Sequence, residues 1–425
     1  MTTTLTPPGG LVHRVGRLRR HSPGRLQLIL AALVTLGLLT GLVAGLTANA
    51  ASTGTADLGD REQPLLVEAE TIYTSLADAD TTAAQAFLAG GLEPADLTRR
   101  YDADLARLAT ALTSASRRTP QESPAAQAVE AIAAGVAKYS ALVATARADN
   151  RQGLPVGASY LSAASTLNRE TLQVQAQALF QIAQDEVDAG YADARSSWWL
   201  TLLVALFAVL AAALIWSQIY LSRTTHRTFN VPLLAATAAF ALLFVGAAGV
   251  FGAQRGHLSS ADRNGSTPVS TLAELRIVAL SQRADEALTL AARGGGGDSE
   301  AHFDAVTPQA DFDDPALDDV RTEMNSARDG YAAYLALHDQ VRELDDGGDY
   351  EGAVDLAVGA KSGTAFASVT DALDRAITDR KAAFTSQITS AGTGLDLLTV
   401  LGPLLALIGC VLAALGIRAR LEEYR

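Results

Sequence analysis

Four groups of residues have the types and spacing that chemistry would require. Gly294 to Gly297 form a glycine run of the sort that cradles phosphate. A phosphate loop also needs a preceding strand and a following Lys-Ser/Thr, and neither is present, so the run reads as a turn. Asp311, Asp313, Asp314, Asp318 and Asp319 make a dense acidic patch with the oxygen donors that calcium prefers. Its spacing lacks the glycine and closing glutamate of an EF-hand loop, and a helix dipole alone favours acids at a helix start. Arg99-Arg100 and Arg117-Arg118 carry the forked donors that hold a ligand carboxylate, or that balance neighbouring acids on a surface. The six histidines (His13, His21, His226, His257, His302 and His338) are scattered without metal-ligand spacing and read as isolated surface side chains. The single cysteine, Cys410, allows no intrachain disulfide. These residues predict no catalytic, cofactor or metal site, no enzyme activity and no nucleic-acid partner.

The elements that position these residues are dominated by four apolar blocks. They run from Leu26, from Trp198, from Phe229 and from Leu397, each about 20 residues or more without Asp, Glu, Lys or Arg. That length spans a hydrocarbon core of about 30 Å at about 1.5 Å rise per residue, and backbone in lipid must bond internally as helix. Trp198, Trp199, Trp216 and Tyr220 bracket the second block as an interfacial aromatic belt. Ala48-Asn49-Ala50 resembles a cleavage site, but the preceding apolar run is too long for a signal peptide.

Arginines give the direction. Arg14, Arg17, Arg19, Arg20 and Arg25 precede the first span, Arg223 and Arg227 lie between the second and third, and Arg418, Arg420 and Arg425 follow the fourth. The positive-inside rule places all three groups in the cytoplasm. Set against Glu422 and Glu423 they make about +8 inside; from the formal net charge of −13 this leaves about −21 for the outer parts. The seven arginines of the N-terminal arm and the central link are candidate contacts for anionic lipid or a cytoplasmic partner.

The expected organisation is therefore a basic arm at 1–25, a span at 26–48 and an extracytoplasmic helical bundle at 49–196. A second span follows at 197–221, a cytoplasmic link at 222–228 and a third span at 229–253. A second outer bundle occupies 254–396, the last span 397–417 and the tail 418–425. The two halves align as a repeat: Pro64, Glu70, Leu76, Gly90 and Gly91 match Pro268, Glu274, Leu280, Gly294 and Gly295 at one offset. Tyr139 and Gly153 match Tyr334 and Gly348 at an offset about nine residues shorter, the pattern of a duplication with a deletion near the second outer helix.

Within each outer segment, Pro and Gly punctuation predicts four helices. In the first segment Pro64 opens a helix that stops at Gly90, and the others start near Glu93, Glu122 and Pro155. Leu97, Tyr101, Leu105, Leu108 and Leu112 recur at helical spacing, as do Val129, Ile132, Val136, Tyr139 and Val143. Short connections between such helices favour antiparallel four-helix bundles. The fourth helix of each segment is expected to run into its span, with a break at Gly392-Thr393-Gly394 in the second. The fold class is an all-α membrane protein with four transmembrane helices and two extracytoplasmic bundles related by internal duplication.

This membrane-flanked, helix-punctuated plan, including the Gly348-Asp349-Tyr350-Glu351 junction, resembles the four-helix-bundle sensor domains of bacterial chemoreceptors and sensor kinases. The tandem four-span version is similar to the GlnX-type family of actinobacterial membrane proteins. That resemblance implies a relay between an amino-acid-loaded solute-binding lipoprotein outside and a serine/threonine kinase inside. It assigns no ligand-binding residue. The lipid bilayer is the other expected partner, and the chain is expected either as a monomer with pseudo-dimeric bundles or as a homodimer. A non-switching cell-envelope scaffold and a transport-accessory subunit are the alternatives; the latter would need charges inside the spans.

Overall fold

The computed structural model describes residues 22–90, 93–195, 198–225 and 230–422, and among them there is helix but no strand. The chain is an all-α membrane protein. It divides into two compact units: Met1–Ala56, Ala192–His257 and Thr389–Arg425 in one, Asp57–Tyr191 and Leu258–Ile388 in the other.

The first unit is built on α1 (Ser22–Asp57), α7 (Trp198–Thr225), α8 (Val231–Ala261) and α14 (Leu395–Glu422). Their facing sides share one apolar core that includes Leu33, Leu210, Phe240, Leu243, Leu398 and Cys410. Backbones approach closely where α1 carries Gly37, Gly41 and Gly45. A Cβ at Gly45 would lie 2.9 Å from Pro403, and one at Gly37 would lie 2.6 Å from Cys410 Sγ. Small residues at four-residue spacing let apolar helices gain dispersion contact where the hydrophobic effect offers none.

The second unit holds two helical segments. The first, Asp57–Tyr191, is built from α2 (Gln63–Leu88), α3 (Ala95–Arg118), α4 (Pro124–Arg151), α5 (Val156–Leu167) and α6 (Gln173–Arg195). The second, Leu258–Ile388, contains α9 (Thr267–Ala291) and α10 (Gly297–Val306), then 3₁₀ turns at Thr307–Gln309 and Pro315–Val320. It continues with α11 (Arg321–Asp346), α12 (Tyr350–Val358) and α13 (Ala360–Gly392). Among the described residues, five helices are long and apolar enough to cross a membrane. One of them, α4, is the least hydropathic and buries Ile132, Tyr139 and Val143 within the second unit.

Two sequence expectations need correction. Pro64 does not open a helix: α1 passes through a π-helical turn at Leu58–Glu62 straight into α2, with Pro64 just after the turn. A widened turn relieves the clash between a proline ring and the carbonyl four residues back, so the helix continues. Pro268 follows a π turn at Asp262–Ser266 in the same way. In addition, the fourth stretch of the second segment breaks at Gly359, which has extended backbone, as well as at Gly394 (φ +87°).

Helices α4 and α11 end alike. Gly153 and Gly348 take positive φ, and the amides of Leu154 and Asp349 bond back to Asp149 O and Leu344 O, both at 2.9 Å. Only glycine adopts this left-handed stop without steric cost.

Candidate functional site: a buried charge node between two segments

Helices α2 and α9 lie side by side as the seam between the segments. From Leu65 to Ala86 no residue of α2 is exposed and most are buried, including Thr74, Ser75, Asp80, Thr81 and Thr82. The threonines tolerate burial because their hydroxyls bond to carbonyls one turn back: Thr74 to Glu70 O at 3.0 Å and Thr81 to Ala77 O at 2.8 Å. Thr81 also donates across the seam to Leu280 O at 2.9 Å. Further cross-seam contacts are Arg276 to Asp78 (3.0 Å), Lys381 to Glu70 (2.9 Å) and Tyr191 to Ser266 (3.0 Å).

At the centre stands Arg169, carried by a π turn at Asn168–Leu172. Asn168, fully buried, anchors that turn by donating to Leu76 O at 3.0 Å. Arg169 Nε donates to Asp80 Oδ2 at 3.3 Å on its own segment, while Nη1 pairs with Asp285 Oδ1 on the other. Ser165 Oγ adds a 2.7 Å bond to Asp80, and His302 Nδ1 meets Asp285 Oδ2 at 2.6 Å. Asp80 and Asp285 are 3% and 0% exposed, so water does little to stabilise their charge.

One guanidinium thus serves two buried carboxylates. Burial pushes the Asp80 carboxyl above its ordinary value, against the pull of Arg169 and Ser165. Burial works against the Arg169 charge, but Asp80 and Asp285 outweigh it and hold the guanidinium above its ordinary range. The node opens into a groove of about 1300 Å³ between α5 on one side and α9–α10 on the other, with Arg169 and His302 in its lining. It contains a cation shared across two packed surfaces, so its geometry depends on how the segments are registered.

Most residues singled out from sequence take other positions. Arg25 and Arg223 are exposed on α1 and α7; Arg14, Arg17, Arg19, Arg20 and Arg227 lie outside the described residues. Arg118 binds Glu68 (2.9 Å) and Asp60 O (2.8 Å). In the acidic patch Asp313 pairs with Arg328 at 2.9 Å and Asp314 caps the Ala316 amide at 2.7 Å. Among the described residues no three His, Cys, Asp or Glu side chains gather as a metal site. The reading as isolated surface residues is overturned for His338, which is 4% exposed and faces the buried Glu286, whereas His302 stays on the surface but contacts the buried Asp285.

The node residues were missed because charge was read as surface. One signal was present: Asp80 falls four residues after Leu76, itself four after Ile72, so an acid occupies the apolar spacing.

The fold defines a class, an all-α membrane protein. Residues 54–192 match the family described as "Actinobacterial sensor domain". The matched stretch supplies Asp80, Ser165 and Arg169, whereas Asp285 and His302 lie beyond it. No curated protein and no solved structure matches the chain.

Proposed function

We propose that the chain is a non-enzymatic transmembrane signal relay with four spans and both described ends of the polypeptide on the cytoplasmic side. The match of an actinobacterial sensor domain to the helical segment that follows the first apolar block carries this reading. The two segments descend from one duplicated bundle. This is supported by equivalent π turns before Pro64 and Pro268, by the shared caps at Gly153 and Gly348, and by buried Tyr139 and Tyr334. In this reading the short α10 and its 3₁₀ turns mark the deletion relative to α3.

An amino-acid-loaded solute-binding lipoprotein docks outside, and its preference for one packing of the seam shifts the population of states. The cytoplasmic side, with Arg25 and Arg223 among its cations, passes that state to a serine/threonine kinase. Signal reaches the spans through helices of which Gly24–Leu88 is the longest unbroken example in the first half. Shifts of about 1–2 Å along packed helices are within the known repertoire.

The test is crosslinking with mass spectrometry in native membranes, with and without added amino acids. Recovery of a binding lipoprotein and a kinase, in amounts that change with the amino acid, is expected. Recovery of envelope or division proteins alone, indifferent to amino acids, would overturn the relay in favour of a scaffold.

A further inference from the structure

The fourth helical stretch of the second segment is interrupted where α12 ends at Val358 and Gly359 turns extended. A break in a helix leaves carbonyls without helical partners. Here one is taken by a buried arginine from α9: Arg283 Nη2 donates to Ala357 O at 2.7 Å. Its Nη1 donates to Ser362 Oγ on α13, at 2.6 Å, and to Glu286 Oε1, also at 2.6 Å. Arg283 thus holds both sides of the break at once. Arg283, Glu286 and Ser362 are 4%, 2% and 1% exposed.

Glu286 is shared. Its other oxygen meets His338 Nδ1 at 3.0 Å, and His338 Nε2 meets Glu300 Oε1 at 3.2 Å. The imidazole stacks on Phe303 with centroids 3.8 Å apart. Glu300 is paired in turn with Arg342 at 3.5 Å, and Arg342 with Asp345 (2.7 Å) and Asp346 (2.9 Å). The charged groups facing His338 are therefore Glu286 on α9 and Glu300 on α10. Arg283 lies behind the first, and Arg342, on the same helix as His338, behind the second. Both ring nitrogens face carboxylates, which requires a proton on each.

We propose that Arg283, Glu286 and His338 form a latch that fixes the bend at Gly359, and that its release lets α12 and α13 change their relative angle. The aligned positions of the first segment carry Ala79, Thr82 and Val143. There α5 runs unbroken from Val156 into its π turn. The device belongs to the second segment alone, and it stands independently of the relay reading.

Protonation sets the latch. Burial works against the His338 charge, but the bonds to Glu286 and Glu300 outweigh it and raise the imidazole to about 9. A raised folded value means the contribution is complete below the ordinary histidine range and is lost as pH rises through about 9. Above that, a neutral ring donates one hydrogen bond to two carboxylates, and Glu286 holds Arg283 less firmly.

Spin labels at Glu351 and Asp371, introduced as cysteines in a Cys410→Ala background of the full chain in lipid nanodiscs, read the bend directly. At neutral pH a single narrow distance distribution is expected, which broadens or shifts as pH passes the His338 transition. His338→Gln and Arg283→Met are expected to show the broadened distribution already at neutral pH, while a control pair at Ser162 and Gln177 stays unchanged. A narrow distribution in both variants overturns the proposal. Should the control pair also change, the variant is unfolded, and the wild-type titration decides alone: a distribution constant across that range overturns the latch.

Discussion

The two helical segments share a frame and differ in what fills it. Positions aligned by the proposed duplication are buried in both: Ile132 with Ala327, Tyr139 with Tyr334, Ala146 with Val341. Yet where the first segment packs Ala79, Thr82 and Val143, the second buries Arg283, Glu286 and His338. Apolar filling is non-directional and accommodates small slips, whereas a hydrogen-bonded charge network has one good geometry and costs several kcal/mol when broken. The difference teaches that the second segment is held by a charge network at positions the first fills with small or uncharged side chains, with a third arrangement, the Arg169 node, joining the two.

That comparison can be broken at its joint first. Arg169→Met leaves Asp80 and Asp285 buried without the guanidinium they share, and should cost about 3–5 kcal/mol in thermal or denaturant unfolding of the purified protein. The deficit should shrink as pH falls and Asp80, whose carboxyl burial already raises, takes up a proton. Asp285→Asn should cost clearly less, because Arg169 and Asp80 remain as a balanced pair. Equal losses for the two variants would show that charge balance is not what holds the seam.

Next in size is a transplant within the second segment. Arg283→Met alone leaves Glu286 with His338 as its remaining partner and strips the donor from Ala357 O, and should cost about 3 kcal/mol. Removing the whole network, as Arg283→Met with the first segment's residues at the other two positions, Glu286→Thr and His338→Val, should recover most of that loss, since apolar replacement of a whole buried network is often neutral. A triple variant worse than the single one would mean that the two frames are not interchangeable.

The smallest effect concerns two arginines at aligned positions. Arg147 pairs with Glu93 at 2.8 Å and lies 4.3 Å from the Tyr101 ring centroid, whereas Arg342 spreads over Glu300, Asp345 and the exposed Asp346. Arg147→Gln should cost about 1–2 kcal/mol and Arg342→Gln less than about 1 kcal/mol, both read by urea titration.

The frame was legible and its charged interior was not, for a physical reason. Apolar blocks, proline and glycine act locally, so Leu97 to Leu112 and the stops at Gly153 and Gly348 announce helices from neighbours in sequence. Arg169, Asp285 and His338 acquire their roles from groups 17 to 116 positions away. A histidine facing two carboxylates on other helices is indistinguishable, in sequence, from one facing water. Helix α2 hid itself differently: wrapped on nearly all sides, it shows no polar face, and its buried threonines and Asp80 read as solvent-side residues. Gly359 gave no signal either, because a lone glycine inside a helical pattern is ordinarily tolerated.

Because Asp80, Arg169 and Asp285 belong to a single polypeptide, the seam they close is an intramolecular one. A pair of separate receptors would assemble only as far as their concentration allowed, and scarce copies would spend time apart. Here the effective concentration of one face for the other is set by the connecting chain and does not change on dilution. The strength of the joint is thereby uncoupled from how many molecules the cell makes, and each half is free to diverge without having to remain complementary to itself.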